Sequence, residues 1–191
     1  TLFGKNTSAG VINVITKAPE FDFGANAEVT YGNHDARGAS ASITGPIGET
    51  VAGRLFAAIR KRDGFNDVRN GAGPSTQSRN DDQDVATIRG QLLWLPTDTL
   101  TIRAMADYTK RDEHCCLTAT TLVGPTGALI DAVAAVEGTL RPADPFRRLV
   151  YANRESNQEL KDKGVSLQAD WEINPDLTLT SITAWRDWSN V

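Results

Sequence analysis

The sequence predicts an all-β protein whose strands form an antiparallel up-and-down sheet, part of the wall of a transmembrane β-barrel. Three observations predict it. Apolar and polar residues alternate with a period of two in segments of about ten residues. The segments are separated alternately by short turns and long polar connections, and aromatic residues gather near the segment ends.

The pattern is cleanest between 51 and 61. Val51, Gly53, Leu55, Ala57 and Ile59 share one face, and Arg54, Phe56, Arg60 and Arg62 share the other. A helix would need apolar spacings of three and four, which Arg54 and Ile59 break. Upstream, Ala27, Val29 and Tyr31 oppose Asn26, Glu28 and Thr30, and Ala39, Ala41 and Ile43 oppose Ser40, Ser42 and Thr44. Between 85 and 95, Ile88, Leu92 and Trp94 oppose Thr87, Arg89 and Gln91, with Leu93 and Leu95 interrupting. Between 100 and 110, Leu100, Ile102, Ala104, Ala106 and Tyr108 oppose Thr101, Arg103, Asp107 and Thr109. Between 165 and 173, Val165, Leu167, Ala169, Trp171 and Ile173 oppose Ser166, Gln168, Asp170 and Glu172. Residues 178 to 188 are rich in strand formers, but their pattern fixes no face.

Gly45 to Glu49, Pro96 to Asp98 and Asn174 to Asp176 read as short turns, because Pro, Gly, Asn and Asp supply the required φ values. At the opposite end stand a tight stretch at Asn33 to Asp35 and long loops near 63–83 and 112–160. Short turns at one end and long loops at the other suit a sheet anchored in a membrane. Trp94 and Trp171 precede short turns, while Tyr31, Tyr108 and Trp185 lie toward the long loops, as interfacial girdles would. In a soluble sandwich the same aromatics would cap a core, but the many alanines between them are small for interlocking sheets.

The chain has 191 residues, 40% hydrophobic and 23% charged, and a mean hydropathy of -0.33. No apolar run reaches the ~18 residues of a membrane helix. A barrel wall escapes that test, because only alternate residues face lipid. Lys and Arg total 20 against 24 for Asp and Glu, so no basic excess is present to neutralise nucleic-acid phosphates. Cys115 and Cys116 are adjacent, a spacing that fits neither a redox motif nor a metal site even with His114 beside them; a vicinal disulfide or two inert thiols is expected instead. No metal, cofactor or enzymatic activity is expected, since no nucleophile, base and orienter can be named together.

The N-terminal stretch reads LFGKNTSAGVINVITKAP from Leu2 to Pro19. Gly4 to Gly10 form a polar turn and Val11 to Thr16 a β-branched strand ended by Pro19. A phosphate-loop reading of Gly4-Lys5 fails, because the first glycine and the closing Ser or Thr are missing and no helix follows. In Leu2, Phe3, Gly4, Gly10, Val11, Ile12, Asn13, Val14, Thr16 and Lys17 the stretch resembles the end of the plug domain of TonB-dependent outer-membrane receptors. Ala9-Gly10 stands where the family often has two glycines.

The resemblance implies a division into residues 1–19, the C-terminal end of a plug with its last strand, and residues 20–191, about seven of the ~22 strands of the family's barrel. With Thr1 at the start and a strand pattern running to Val191, the chain is expected to be an internal piece. The TonB box and the closing strands would lie outside it, and the piece alone is expected neither to close a pore nor to transport. The implied function is uptake of a ferric siderophore across the outer membrane of a Gram-negative bacterium, energised by TonB-ExbB-ExbD acting on the plug. A receptor for a saccharide, cobalamin or another organic nutrient is the alternative, and a structural or adhesive barrel a more remote one. Expected partners are outer-membrane lipid, the energising complex and the small nutrient, with no nucleic acid.

Ligand contacts are expected on the long loops. Arg69, Arg79, Arg141, Arg147 and Arg148 are candidates to hold an anionic ligand by bidentate hydrogen bonds, with ordinary solvated loop residues as the alternative. Asp81, Asp82 and Asp84 lack the spacing and glycine of a calcium loop and read as a solvated acidic run. Leu129 to Val136 has the apolar spacing of a short helix, serving as a lid or as loop packing.

Overall fold

The computed structural model describes residues 10, 14–141 and 144–191. A seven-stranded sheet comprises β1 (Gly24–Gly32), β2 (Ala36–Pro46), β3 (Val51–Arg62), β6 (Gln83–Thr97), β7 (Leu100–His114), β9 (Asn157–Asn174) and β10 (Leu177–Asn190), hydrogen-bonded in that order. Every neighbouring pair is antiparallel, so the sheet is an up-and-down meander. A second sheet of β4 (Asn66–Asn70), β5 (Arg79–Asn80) and β8 (Leu149–Ala152) is inserted between its strands, in the order β5-β4-β8 with β4 and β8 parallel. The helix α1 (Gly127–Val136) covers the stretch expected to be helical. β9 begins at Asn157, so the second long connection ends before Leu160, the expected boundary. The pairing of Asn157 with His114 extends both wall strands past the point where alternation becomes polar.

Register turns the sequence alternation into two faces. Ala25, Ile43, Leu55, Gly90, Ala106, Val165 and Trp185 form one continuous row across the seven strands. Asn26, Ser42, Phe56, Arg89, Asp107, Gly164 and Arg186 form a row on the other face. Exposure is inverted relative to a water-soluble sheet: on β2, Ile43 is 48% exposed and its neighbour Thr44 5%. Leu55, Ile59, Ile88, Leu92, Val165 and Leu167 are likewise exposed, whereas Gln91 is buried. We call the apolar face outer and the polar face inner.

The inner face is held by polar contacts between strands. Thr87 and Thr109 hydroxyls meet at 3.0 Å, and the Asp170 carboxylate accepts from Gln168 and Thr180 at 2.7 Å each. Arg186 reaches from β10 across β9 to Asp107 on β7 at 3.1 Å and also pairs with Asp162 at 2.6 Å. Gly164 makes that crossing fit, because a Cβ there would stand 3.1 Å from the guanidinium. The unreadable segment 178–188 becomes intelligible here: Leu179 and Trp185 lie in outer rows, whereas Ile182 and Trp188 share inner rows with Gln168 and Asp162.

The segment before β1 lies against the inner face. Arg54 Nη1 donates to Ala18 O at 3.2 Å, Gln91 Nε2 to Lys17 O at 3.1 Å, and Glu20 N to Thr44 Oγ1 at 2.9 Å. Pro19 is buried. The expected strand from Val11 to Thr16 is corrected in its described part: Val14 to Thr16 belong to no strand. A strand requires a neighbour to complete its ladder, and among the described residues none pairs with this segment. The rest of the motif, Leu2, Phe3, Gly4, Val11, Ile12 and Asn13, lies outside the described residues.

Candidate functional site

The two long loops fold together into one module at a single end of the wall. Its apolar core is small: Val68, Val150 and Ala152 are buried, with Leu117 and Ala119 packed against them. Tertiary order therefore rests heavily on hydrogen bonds. Asn80 is fully buried, donating from Nδ2 to Ser156 Oγ at 2.8 Å and accepting at Oδ1 from Leu117 N at 3.0 Å. Gln77 Oε1 accepts from Ser156 N at 3.0 Å, and Gln77 Nε2 donates to Arg79 O at 2.8 Å. One amide and its neighbour thus clamp the first loop to both ends of the second. Gly64 lies so close to the Asn80 backbone that a Cβ would collide with it.

Asp81 and Asp82 of the acidic run are part of this joint rather than solvated. Asp81, at φ 64°, accepts from Asn66 Nδ2 and from Cys116 N. Asp82 accepts from His114 N at 2.5 Å and meets His114 Nδ1 at 2.9 Å. Asp84 pairs with Lys61 at 2.7 Å. Cys115 and Cys116 are joined by a disulfide where β7 leaves the wall, and Cys115 N donates to Ser156 O at 2.9 Å. Among the described residues, no three His, Cys, Asp or Glu side chains are grouped to hold a metal ion.

The small sheet brings several candidate arginines together. β4 places Asp67 beside Arg79 of β5 and Leu149 of β8, and Arg69 beside Tyr151. Arg79 pairs with Asp63 at 3.5 Å, and Arg141 is engaged by Asp131 of α1. Arg147 is exposed in the 3-10 turn Pro145–Arg147, and Arg148 follows at φ 55° with its guanidinium 5.9 Å from the Phe65 ring centroid. Arg62, the last residue of β3, holds the same ring at 5.2 Å. Sequence reading assigned Arg62 to the inner face without connecting it to Arg148. Phe65, Asn80, Gln77 and Ser156 escaped notice altogether, because their partners are distant in sequence.

Two cavities border these elements. One of about 550 Å³ lies between the Thr16–Lys17 stretch and the inner wall, lined by Glu28, Arg54, Arg89 and Gln91. The other, of about 340 Å³, lies between α1 and β8 and includes Thr126, Asp131, Arg141 and Tyr151. A larger concavity, about 990 Å³, is on the apolar outer face among Leu55, Leu92, Val165 and Leu167. It lacks the convergent polar groups of a ligand site.

The wall, the segment across its inner face and the loop module together prompt a comparison with characterised proteins. Part of the chain resembles a siderophore receptor. It is 34% identical over 64 residues to the ferrioxamine B receptor of Salmonella typhimurium, in strains SL1344 and LT2 alike. The aligned stretch is 32% of this chain and 9% of that receptor's length. No family model matches the chain.

Proposed function

We propose that this chain is part of a TonB-dependent outer-membrane receptor that takes up a ferric siderophore, with residues 1–19 ending its plug and residues 20–191 beginning its barrel. The inverted sheet carries the reading. Leu55, Ile59, Leu92 and Val165 on the outer face are 47–53% exposed, so in water each would forgo about half of the ~1.5–3 kcal/mol of full burial; in a bilayer that face is in its preferred solvent. Along β6, Ala86, Ile88, Gly90, Leu92 and Trp94 share this face, a run of about 27 Å at ~3.4 Å per residue. At a ~40° strand tilt this is a band about 21 Å tall, near the ~25 Å belt of outer-membrane barrels.

The inner face supports the same reading. A polar wall with chain hydrogen-bonded across it is what a plugged barrel requires, and a module outside the wall is where a ligand first meets such a receptor. The partial likeness to the ferrioxamine B receptor agrees with a siderophore as cargo. Coupling to TonB, ExbB and ExbD would act through the plug. Deleting the gene in its host and measuring radiolabelled iron uptake under iron starvation tests the proposal. Loss of uptake of a ferric siderophore, restored by the gene on a plasmid, is expected. Unchanged iron uptake with loss of growth on an organic nutrient would move the assignment to a saccharide or cobalamin-type receptor.

A further inference from the structure

The chain contains two cysteines, and both are used in one bond between neighbours. In the chain-entropy account a disulfide stabilises by closing a loop and restricting the unfolded chain, more so for longer loops. Cys115–Cys116 closes the shortest loop possible and ties no two elements together. Its ring fixes only the conformation of one dipeptide, which stands at the exit of β7, where the chain passes from the wall to the module. Cys116 is held there at φ 80°, a left-handed conformation unfavourable to a residue with a Cβ unless its surroundings enforce it.

The contacts around the pair are few. Cys115 N donates to Ser156 O at 2.9 Å, Cys116 N to Asp81 Oδ1 at 3.3 Å, and Leu117 N to Asn80 Oδ1 at 3.0 Å. Asp81, itself at φ 64°, donates from N to His114 O at 2.7 Å. The joint therefore contains two left-handed residues bonded to each other. Asp81 tolerates that conformation by its short polar side chain, whereas Cys116 has the ring instead. Beyond it, Leu117 and Ala119 pack on the core of Val68, Val150 and Ala152, and the stretch 118–124 forms one side of the 340 Å³ cavity that faces α1 and β8.

The pair is also placed for thiol exchange. Cys116 is exposed, so an attacking thiolate can reach its sulfur. Cys115 Sγ lies 3.4 Å from Gln158 Oε1; in the disulfide it has no proton to donate, and as a thiol it has one. With no third cysteine among the 191 residues, an opened pair can rejoin only with itself within them.

We propose that Cys115–Cys116 is a reversible two-electron switch that sets how firmly residues 118–124 are held over the cavity. The reductant is a dithiol, free or carried on a protein. One of its thiolates attacks Cys116 Sγ, the S–S bond breaks, and Cys115 leaves as a thiolate that takes up a proton. The donor's second thiolate then displaces Cys116 and completes the donor's own disulfide, so that two electrons and two protons pass to the pair. Freed of the ring, Cys116 relaxes toward negative φ and the chain beyond it opens more often, while the Asn80 clamp keeps the change local. The switch goes beyond the uptake proposal and does not depend on which cargo the receptor carries.

The test compares the intact protein in detergent as purified without reductant, after dithiothreitol, and after reoxidation. Alkylation followed by mass measurement should find no thiol before reduction and two after it. Amide hydrogen exchange across 118–124 is expected to quicken about tenfold on reduction, as for freeing roughly one residue's backbone, and to return on reoxidation, with β6 and β9 unchanged. The Cys115→Ser/Cys116→Ser protein should exchange at the fast rate in every state. Cys115→Ser/Cys116→Asn should be slower than that, because asparagine adopts the left-handed conformation without a ring. Retention of the heat-modifiable folded band shows that each variant is folded. Equal exchange in the oxidised and reduced protein, a fast rate that reoxidation does not reverse, an asparagine variant as fast as the serine one, or a pair that dithiothreitol leaves closed in the folded protein would each overturn the inference.

Discussion

The wall and the loop module solve the same problem, satisfying a polar backbone while burying little apolar surface, in opposite ways. The wall closes its backbone in ladders up to fifteen pairs long and leaves its apolar side chains outside. The module has short strands, a three-residue buried core and side-chain amides in place of ladders. Order in the wall therefore depends on the solvent that meets its outer face, whereas order in the module depends on a few directional bonds. A region of the second kind can change its loops without disturbing the scaffold, which suits a ligand-facing element.

Replacing Leu55 by Arg should have the largest effect. Leu55 lies in the middle of the outer band, half-exposed at 49%. If that face meets lipid, the substitution costs about 2–4 kcal/mol; if it meets water, it falls within about 0.5 kcal/mol. Urea unfolding of the intact protein in lipid vesicles separates the two, and a near-neutral result would remove the distinction between wall and module.

Asn80→Ala should act on the module alone. It leaves Leu117 N without its acceptor and removes one of the two partners of Ser156 Oγ, which keeps Gln77 Oε1 at 3.2 Å, at a fully buried position, a loss of about 1–3 kcal/mol. Faster hydrogen exchange is expected at Asn66–Asn70 and Leu149–Ala152, with β6 and β7 unchanged. Spread of the change into the wall would show that the two regions form one cooperative unit.

The wall was legible in sequence because its order is periodic. Alternation at 27–31, 39–44, 51–61 and 100–108 was sufficient to place both faces, and Arg54, Arg60 and Arg62 fell on the inner side as expected. β10 was not legible, since Ile182 and Trp188 occupy inner positions that alternation reserves for polar residues. The module was hidden for another reason. Asn80 and Ser156 are 76 residues apart and belong to no repeating pattern, and the Asp81 and Asp82 contacts follow from a turn at positive φ that composition does not announce. Of the arginines chosen from the loops, Arg148 joins Arg62 at Phe65, whereas Arg79 and Arg141 are taken by Asp63 and Asp131.

Reduction of the Cys115–Cys116 disulfide should have a smaller and more local effect. The pair sits where β7 enters the module, flanked by bonds from Cys115 N to Ser156 O and from Cys116 N to Asp81. Opening the ring releases the local chain, but the Asn80 clamp remains. Limited proteolysis of the intact protein should show faster cleavage near Thr118–Thr126 with reductant and no new cleavage within β7 or β9. The Cys115→Ser/Cys116→Ser variant should show the fast pattern with or without reductant; an unchanged pattern in both experiments would mean that the hydrogen bonds alone hold the joint.

The smallest effect should come from Lys61→Met, which defines where the wall's apolar band ends. Lys61 lies one outer position beyond Ile59 and pairs with Asp84 at 2.7 Å, with the two side chains 63% and 42% exposed. A pair this open contributes about 0.2–1 kcal/mol, diminishing with added salt. The change in urea midpoint in vesicles should therefore be slight and should vanish at high ionic strength. A stabilising, salt-independent shift would instead place Lys61 within the lipid band, because methionine would then relieve the burden of holding an ammonium there. That result would move the boundary between wall and module one outer row toward the loops and draw the Lys61–Asp84 pair into the membrane interface.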